Sequence, residues 1–68
     1  MFKPGFVLTT DAHLDAAIFN KTIVIVWQQG DVLDYGGLIE ERTNNSVIVN
    51  GERYLKINCE FRVRWTVI

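Results

Sequence analysis

Cysteine, histidine and proline each occur once, as Cys59, His13 and Pro4, and that scarcity closes several routes. A lone cysteine forms no disulfide within the chain. His13 and Cys59 together fall short of the four soft ligands that structural zinc takes. Long apolar runs are also missing: the longest, Ile23 to Trp27, is far too short to span a bilayer. No apolar segment of the kind a secretory signal needs follows Met1-Phe2-Lys3-Pro4-Gly5. Together with the unpaired cysteine this points to the cytoplasm. Charge of one sign is lacking too, since the net charge is −1, so a generally basic, phosphate-binding surface is not expected.

The ingredients of catalysis are equally sparse. Glu40 and Glu41 are adjacent and fall on opposite faces of a strand. Gly36-Gly37 lies inside a strand pattern with no helix behind it, so it is no phosphate-cradling loop. Cys59 would need a neighbouring base to act as a nucleophile, and His13 is the only histidine. Asp11, His13 and Asp15 suggest a metal, but on a helix His13 points about 200° away from Asp11. First-turn acids that suit the helix dipole explain them better. No enzyme activity, metal or cofactor is expected.

What is present is hydrophobic: 49% of 68 residues. So short a chain makes one domain, residues 1–68, and buries only roughly 60% of its unfolded surface. Domains of this size need a staple, and with disulfide and zinc removed the remaining one is self-association. Part of the apolar surplus is then expected against another copy.

Residues 1–8 read as an extended lead-in. Thr9 and Thr10 before Asp11 supply a hydroxyl N-cap, and Leu14, Ala17 and Ile18 share one face, predicting a helix over about 10–20 that ends at Asn20. Thr22 to Trp27 is β-branched and aromatic on both faces, predicting a central strand. Gly30-Asp31 marks a turn. A second strand runs from about Val32 to Arg42, with Gly36-Gly37 inside it as a bend. After Thr43-Asn44-Asn45, Ser46 to Val49 form a third strand with Val47 and Val49 inward. Asn50-Gly51 is a two-residue hairpin signal. The fourth strand is expected over Glu52 to Ile57. The fifth alternates, with Phe61, Val63, Trp65 and Val67 on one face and Glu60, Arg62, Arg64 and Thr66 on the other. The fold class is therefore mostly β: an N-terminal helix, then a five-stranded, strongly bent Sm-like or SH3-like barrel over about 22–67.

These residues resemble the Sm, LSm and Hfq family. Lys21, Ile23, Ile25, Trp27 and Gly30 match the opening of its first motif, and Gly37 with Ile39 matches its second half. The helix before Lys21 stands where that family has one. The Gly30-to-Gly37 interval is longer than the Sm spacing and closer to YolD-like proteins, small bacterial and phage proteins. Thr43 stands where an aspartate is usual, the following asparagine is displaced to Asn44 or Asn45, and Tyr54-Leu55-Lys56-Ile57-Asn58 is a trace of the second motif.

The resemblance implies a homo-oligomeric ring, of roughly five to seven subunits, that binds single-stranded RNA or DNA. It implies that the loop after strand two (Arg42, Thr43, Asn44, Asn45) and the loop after strand four (Lys56, Asn58) lie together on the ring's inner rim and hold one base. Arginine stacks on bases and asparagine reads their edges, although Asn-Asn is also ordinary turn chemistry. Two alternatives stay open. One is an SH3-like protein-interaction module without nucleic-acid binding. The other is an oligomer holding a nucleotide-type small ligand. Trp27 and Trp65 read first as core and second as stacking platforms, Tyr35 and Tyr54 read either way, and Arg62 and Arg64, with Arg53 nearby, read either as a strip that contacts a nucleic-acid backbone or as a solvated outer face paired with Glu52 and Glu60.

Overall fold

The computed structural model describes residues 2–66, with Thr66 described by its backbone alone. It is mostly β: helix α1 (Asp11–Phe19) precedes β1 (Thr22–Gln28), β2 (Asp31–Arg42), β3 (Ser46–Val49), β4 (Glu52–Leu55) and β5 (Glu60–Thr66). The strands form one antiparallel sheet in the order β4-β3-β2-β1-β5. Among the described residues β4 and β5 share no ladder, so hydrogen bonding does not close the expected barrel. No helix of the described residues is long and apolar enough to cross a membrane.

The helix starts where a hydroxyl cap is available. Thr10 Oγ1 accepts from His13 N (3.1 Å), and His13 Nδ1 accepts from Thr9 N (3.1 Å) and Thr10 N (3.3 Å). This is a capping box in which imidazole replaces the usual Glu or Gln. The ring of His13 also meets Phe2 and Phe6 edge-on. Asn20 caps the other end, and Lys21 follows in the left-handed region at φ 55°. Leu14 and Ala17 are buried.

Both two-residue hairpins have the φ values a type I′ turn requires. Asn50 and Gly51 lie at 52° and 77°, and Gln29 and Gly30 at 49° and 85°. The second of these was visible in the sequence only through Gly30.

Strand β2 is longer than its neighbours and carries extra residues. Against β1, Val24, Val26 and Trp27 face Gly37, Asp34 and Val32, so β2 gains one residue at Tyr35-Gly36 and another at Leu33. Against β3, Ile39 and Glu41 face Val49 and Ile48, which leaves Glu40 extra. Bulges bend and twist the strand that holds them. β2 thereby pairs with β1 through Leu38 and with β3 from Ile39, and the irregularity at Tyr35-Gly36 adjoins the Gly36-Gly37 position where a bend is expected.

The core is largely valine. Val24, Val26, Val47, Val49 and Val63 are fully or almost fully buried, with Leu8, Leu14, Ile39 and Phe61 around them. Each buried side chain of this size contributes roughly 1.5–3 kcal/mol.

Two expectations about the strands need correction. The fourth strand ends at Leu55 rather than Ile57: Lys56 N still donates across to Asn45 O (2.9 Å), but Asn58 N donates back to Leu55 O (3.1 Å), turning the chain. In β5, Ile23 pairs with Trp65 but Val24 pairs with Val63, so Arg64 is an extra residue. Phe61 and Val63 stay inward while Trp65 changes face and is exposed. Val67, expected on the Phe61 face, lies outside the described residues.

The lead-in is not idle. Gly5 N donates to Val63 O (2.7 Å), Leu8 N to Phe61 O (2.8 Å) and Val63 N to Phe6 O (2.9 Å), covering the free edge of β5. Covering an edge in this way blocks pairing there with another chain.

Helix α1 is tied down by charge. The Arg42 guanidinium binds both Asp15 oxygens (2.7 and 2.8 Å) and lies 3.3 Å from Asp11, which also accepts from Lys56 Nζ at 2.5 Å. The Lys56 hydrogen bond, helped by Arg42, holds the Asp11 carboxyl below the usual carboxylate range. The Arg42 hydrogen bond does the same for Asp15. Lowered carboxylate pKa values stabilise the fold above the unfolded-state value, and that stability is lost as pH falls through the folded values. Stability against denaturant, followed by circular dichroism, is therefore expected to fall modestly as pH drops below about 4, the pairs being exposed, and Asp15→Asn is expected to lessen that fall. An unchanged fall in Asp15→Asn would show that the pair does not hold the helix.

Candidate nucleic-acid interface

The two loops expected to form a rim do lie together. Lys56 Nζ donates to Asn44 O (3.2 Å) in addition to the backbone bond from Lys56 to Asn45. Thr43 Oγ1 accepts from Asn45 N (3.2 Å) and Ser46 N (3.0 Å), which is turn chemistry. Asn44, Asn45 and Asn58 are exposed. The cations of this cluster are already engaged: Arg42 and Lys56 face Asp11 and Asp15, two positive charges against two negative. A phosphate arriving there meets carboxylates as well as cations.

Cys59 is half-buried, and burial pushes its thiol pKa up, so it is protonated at neutral pH and a poor nucleophile. It lines a cleft of about 280 Å³ with Leu8, Leu14, Phe61, Asp11 and Lys56. His13 is occupied with the helix cap. Among the described residues no three His, Cys, Asp or Glu side chains gather as a metal would need.

A different surface collects the aromatic groups. Directly opposed residues of antiparallel strands share a face. On the outer face of β5, β1 and β2 this gives three rows: Trp65–Ile23–Leu38, Arg62–Ile25, and Glu60–Trp27–Val32. Tyr35 stands on the β2 bulge and is 64% exposed; Trp65 is 45% exposed. The Arg64 guanidinium lies 4.3 Å from the Trp65 ring centre and 4.7 Å from that of Tyr35. It also donates to Tyr35 O at 3.1 Å. Arg62 lies over the Trp27 ring at 4.6 Å and pairs with Glu60. Arg64 has no carboxylate partner among the described residues. Tyr54, by contrast, packs against the core, and burial pushes its phenol pKa up.

Trp27 Nε1 is the one buried side-chain donor without a hydrogen-bond partner among the described residues. It belongs to the ring that Arg62 covers. Buried indole N–H groups normally find a partner, and this one has none among the described residues.

Sequence reasoning treated the tryptophans and the Arg62–Arg64 strip as separate features. The bulge at Arg64 is what unites them, and no turn residue or glycine in Arg62-Val63-Arg64-Trp65 announces it. Gly36 is a further part that the sequence did not single out for this purpose. A Cβ there would lie 2.8 Å from Arg64 Nη1, so glycine leaves the space in which the guanidinium rests.

The obstructed atom is the far end of a flexible side chain, so Gly36→Ala is expected to keep the fold, with stability changed by less than about 1 kcal/mol. The near-ultraviolet circular dichroism should shift as it does in Arg64→Ala, because both lift the guanidinium from between Tyr35 and Trp65. An unaltered aromatic spectrum in Gly36→Ala would contradict this seating.

Comparison with family models, with curated proteins and with solved structures gives no match for this chain.

Proposed function

We propose that this chain is a non-enzymatic binding module for single-stranded nucleic acid, and that its contact surface is the outer face of β1, β2 and β5. The observation that carries the proposal is the Arg64 guanidinium held between two exposed rings, Tyr35 and Trp65, with no carboxylate partner among the described residues. Single strands are held by aromatic side chains that stack bases beside cations that follow the backbone. Arg62 over Trp27 repeats the arrangement one row away. Around the three rows Arg62 and Arg64 stand against Glu60, so the local balance is positive where the whole chain is negative; Glu40, further along β2, accepts from Gly51 N.

The proposal keeps the ligand class implied by the Sm-like resemblance and moves the site. The rim residues Arg42, Thr43, Asn44, Asn45, Lys56 and Asn58 are near one another, but their charge is spent on helix α1. It also takes the sheet as that of an Sm-like or SH3-like barrel. The strand order, the bent β2 serving both halves and the preceding helix support that reading. Assembly into a ring belongs to the proposal as well, supported by exposed Leu55 and Ile57 near the open β4 edge. A ring would not join β4 to the stretch of β5 that the lead-in covers. A cytoplasmic setting suits the reduced Cys59.

A second reading, an SH3-like protein-interaction module, has its own observation. Leu38 and Val32 are exposed beside Ile23 and Ile25, and aromatic rings with arginine amid aliphatic groups are also what protein interfaces use.

Titration of the intact protein with a fluorescent single strand separates these possibilities. Trp65→Ala and Arg64→Ala are expected to weaken binding about tenfold or more, as loss of one stacked base would. Arg42→Ala combined with Asn45→Ala is expected to change it by less than about threefold, those groups being turned to the fold. The reverse pattern would return the site to the rim loops. If the intact protein binds no strand, the protein-interaction reading replaces this one.

A further inference from the structure

The groups on the outer face also determine how selective it is. We infer that this face holds single strands without regard to base sequence and takes DNA and RNA alike, an inference that rests on the nucleic-acid reading above. Reading a base edge requires amide, hydroxyl, carboxylate or guanidinium groups that present a fixed donor and acceptor pattern, and the two guanidiniums here are engaged, Arg62 by Glu60 and Arg64 by the Tyr35 carbonyl and two rings. The three cross-strand rows contain Trp65, Ile23, Leu38, Arg62, Ile25, Trp27 and Val32, with Glu60 as their only acceptor, and Glu60 is engaged by Arg62. No asparagine, glutamine, serine or threonine stands in these rows.

Tyr35 adds a phenol hydroxyl, which both donates and accepts and so pairs with any base edge. Every base has a π face, and stacking on Trp65 and Tyr35 discriminates little among them. For a ribose 2′-hydroxyl the face offers the exposed Tyr35 hydroxyl, with no second side chain to fix it. Asn44, Asn45 and Asn58, the amides that the Sm-like resemblance assigns to base reading, sit instead in the turns beside Arg42 and Lys56, while Gln28 and Gln29 close the β1–β2 hairpin at the end of these rows.

Charge limits the salt response. Arg64 has no competing carboxylate among the described residues, whereas Arg62 shares its charge with Glu60. One to two phosphates are therefore neutralised. For single strands, this corresponds to a slope of log K against log salt between about −0.7 and −1.4.

The test is a set of fluorescence titrations of the intact protein with thymidylate, adenylate and uridylate strands of about twelve nucleotides, and with a duplex, across a salt series. Affinities for the three strands are expected to agree within about threefold, because stacking is sequence-tolerant. The duplex, whose bases are already stacked, should bind about tenfold or more weakly. Trp65→Ala should weaken all three single strands by the same factor, and Arg64→Ala should make the salt slope shallower by about 0.7. A preference above about tenfold for one base, or for RNA over DNA, that Trp65→Ala abolishes would overturn sequence indifference while keeping the face as the site. Binding of none of the strands, or binding untouched by both substitutions, would overturn the site together with the inference.

Discussion

Strand β1 runs between two neighbours that each contain extra residues, and much of the molecule follows from that mismatch. Against β2 the additions are Leu33 and one residue at Tyr35-Gly36; against β5 the addition is Arg64. A bulge leaves one strand's alternation intact while advancing its partner by a residue. The inner face keeps Val24 and Val26 against Val63 and Phe61 and remains a dry core. The outer face receives Trp65, Tyr35 and the Arg64 guanidinium, groups that a regular ladder would have spread over both faces. Core and candidate site thus have one origin in strand register.

Much of the fold was legible because its signals are local. Thr10 and Asp11 mark the helix start, Asn50-Gly51 requires two residues with positive φ, and Val47 and Val49 alternate inward. Gly36-Gly37 inside a strand announced the irregularity of β2. The extent of β4 was not legible, since the turn that Asn58 N closes on Leu55 O contains no glycine or proline to announce it. Nor was the face of Trp65. Period-two reading assigns it inward, and only the pairing with Ile23 reverses this. His13 as a capping partner escaped notice because that position of a capping box usually carries Glu or Gln.

The candidate rim shows the limit of reading charge from composition. Arg42 and Lys56 are adjacent in space, as the resemblance implied, but each is matched by an aspartate on the first two turns of α1. Those ion pairs are exposed and contribute little to stability on their own. Their consequence is to match charge where α1, seated by buried Leu14 and Ala17, meets the loops, and to leave those loops without a net charge to offer. Arg62 and Arg64 stand on the opposite side of that balance, with one acid between them and aromatic rings beneath. Where a cation rests, more than how many the chain has, decides which surface can meet a phosphate.

The claim on which this account turns is that Trp65 lies on the outer face because Arg64 is a bulge. A nuclear Overhauser spectrum of the folded protein tests it directly. The account predicts cross-peaks from the Trp65 indole protons to the Arg64 side chain and to Ile23, the residue opposite. Cross-peaks from the same protons to Val24 and Val63 methyl groups would place Trp65 in the core and contradict it.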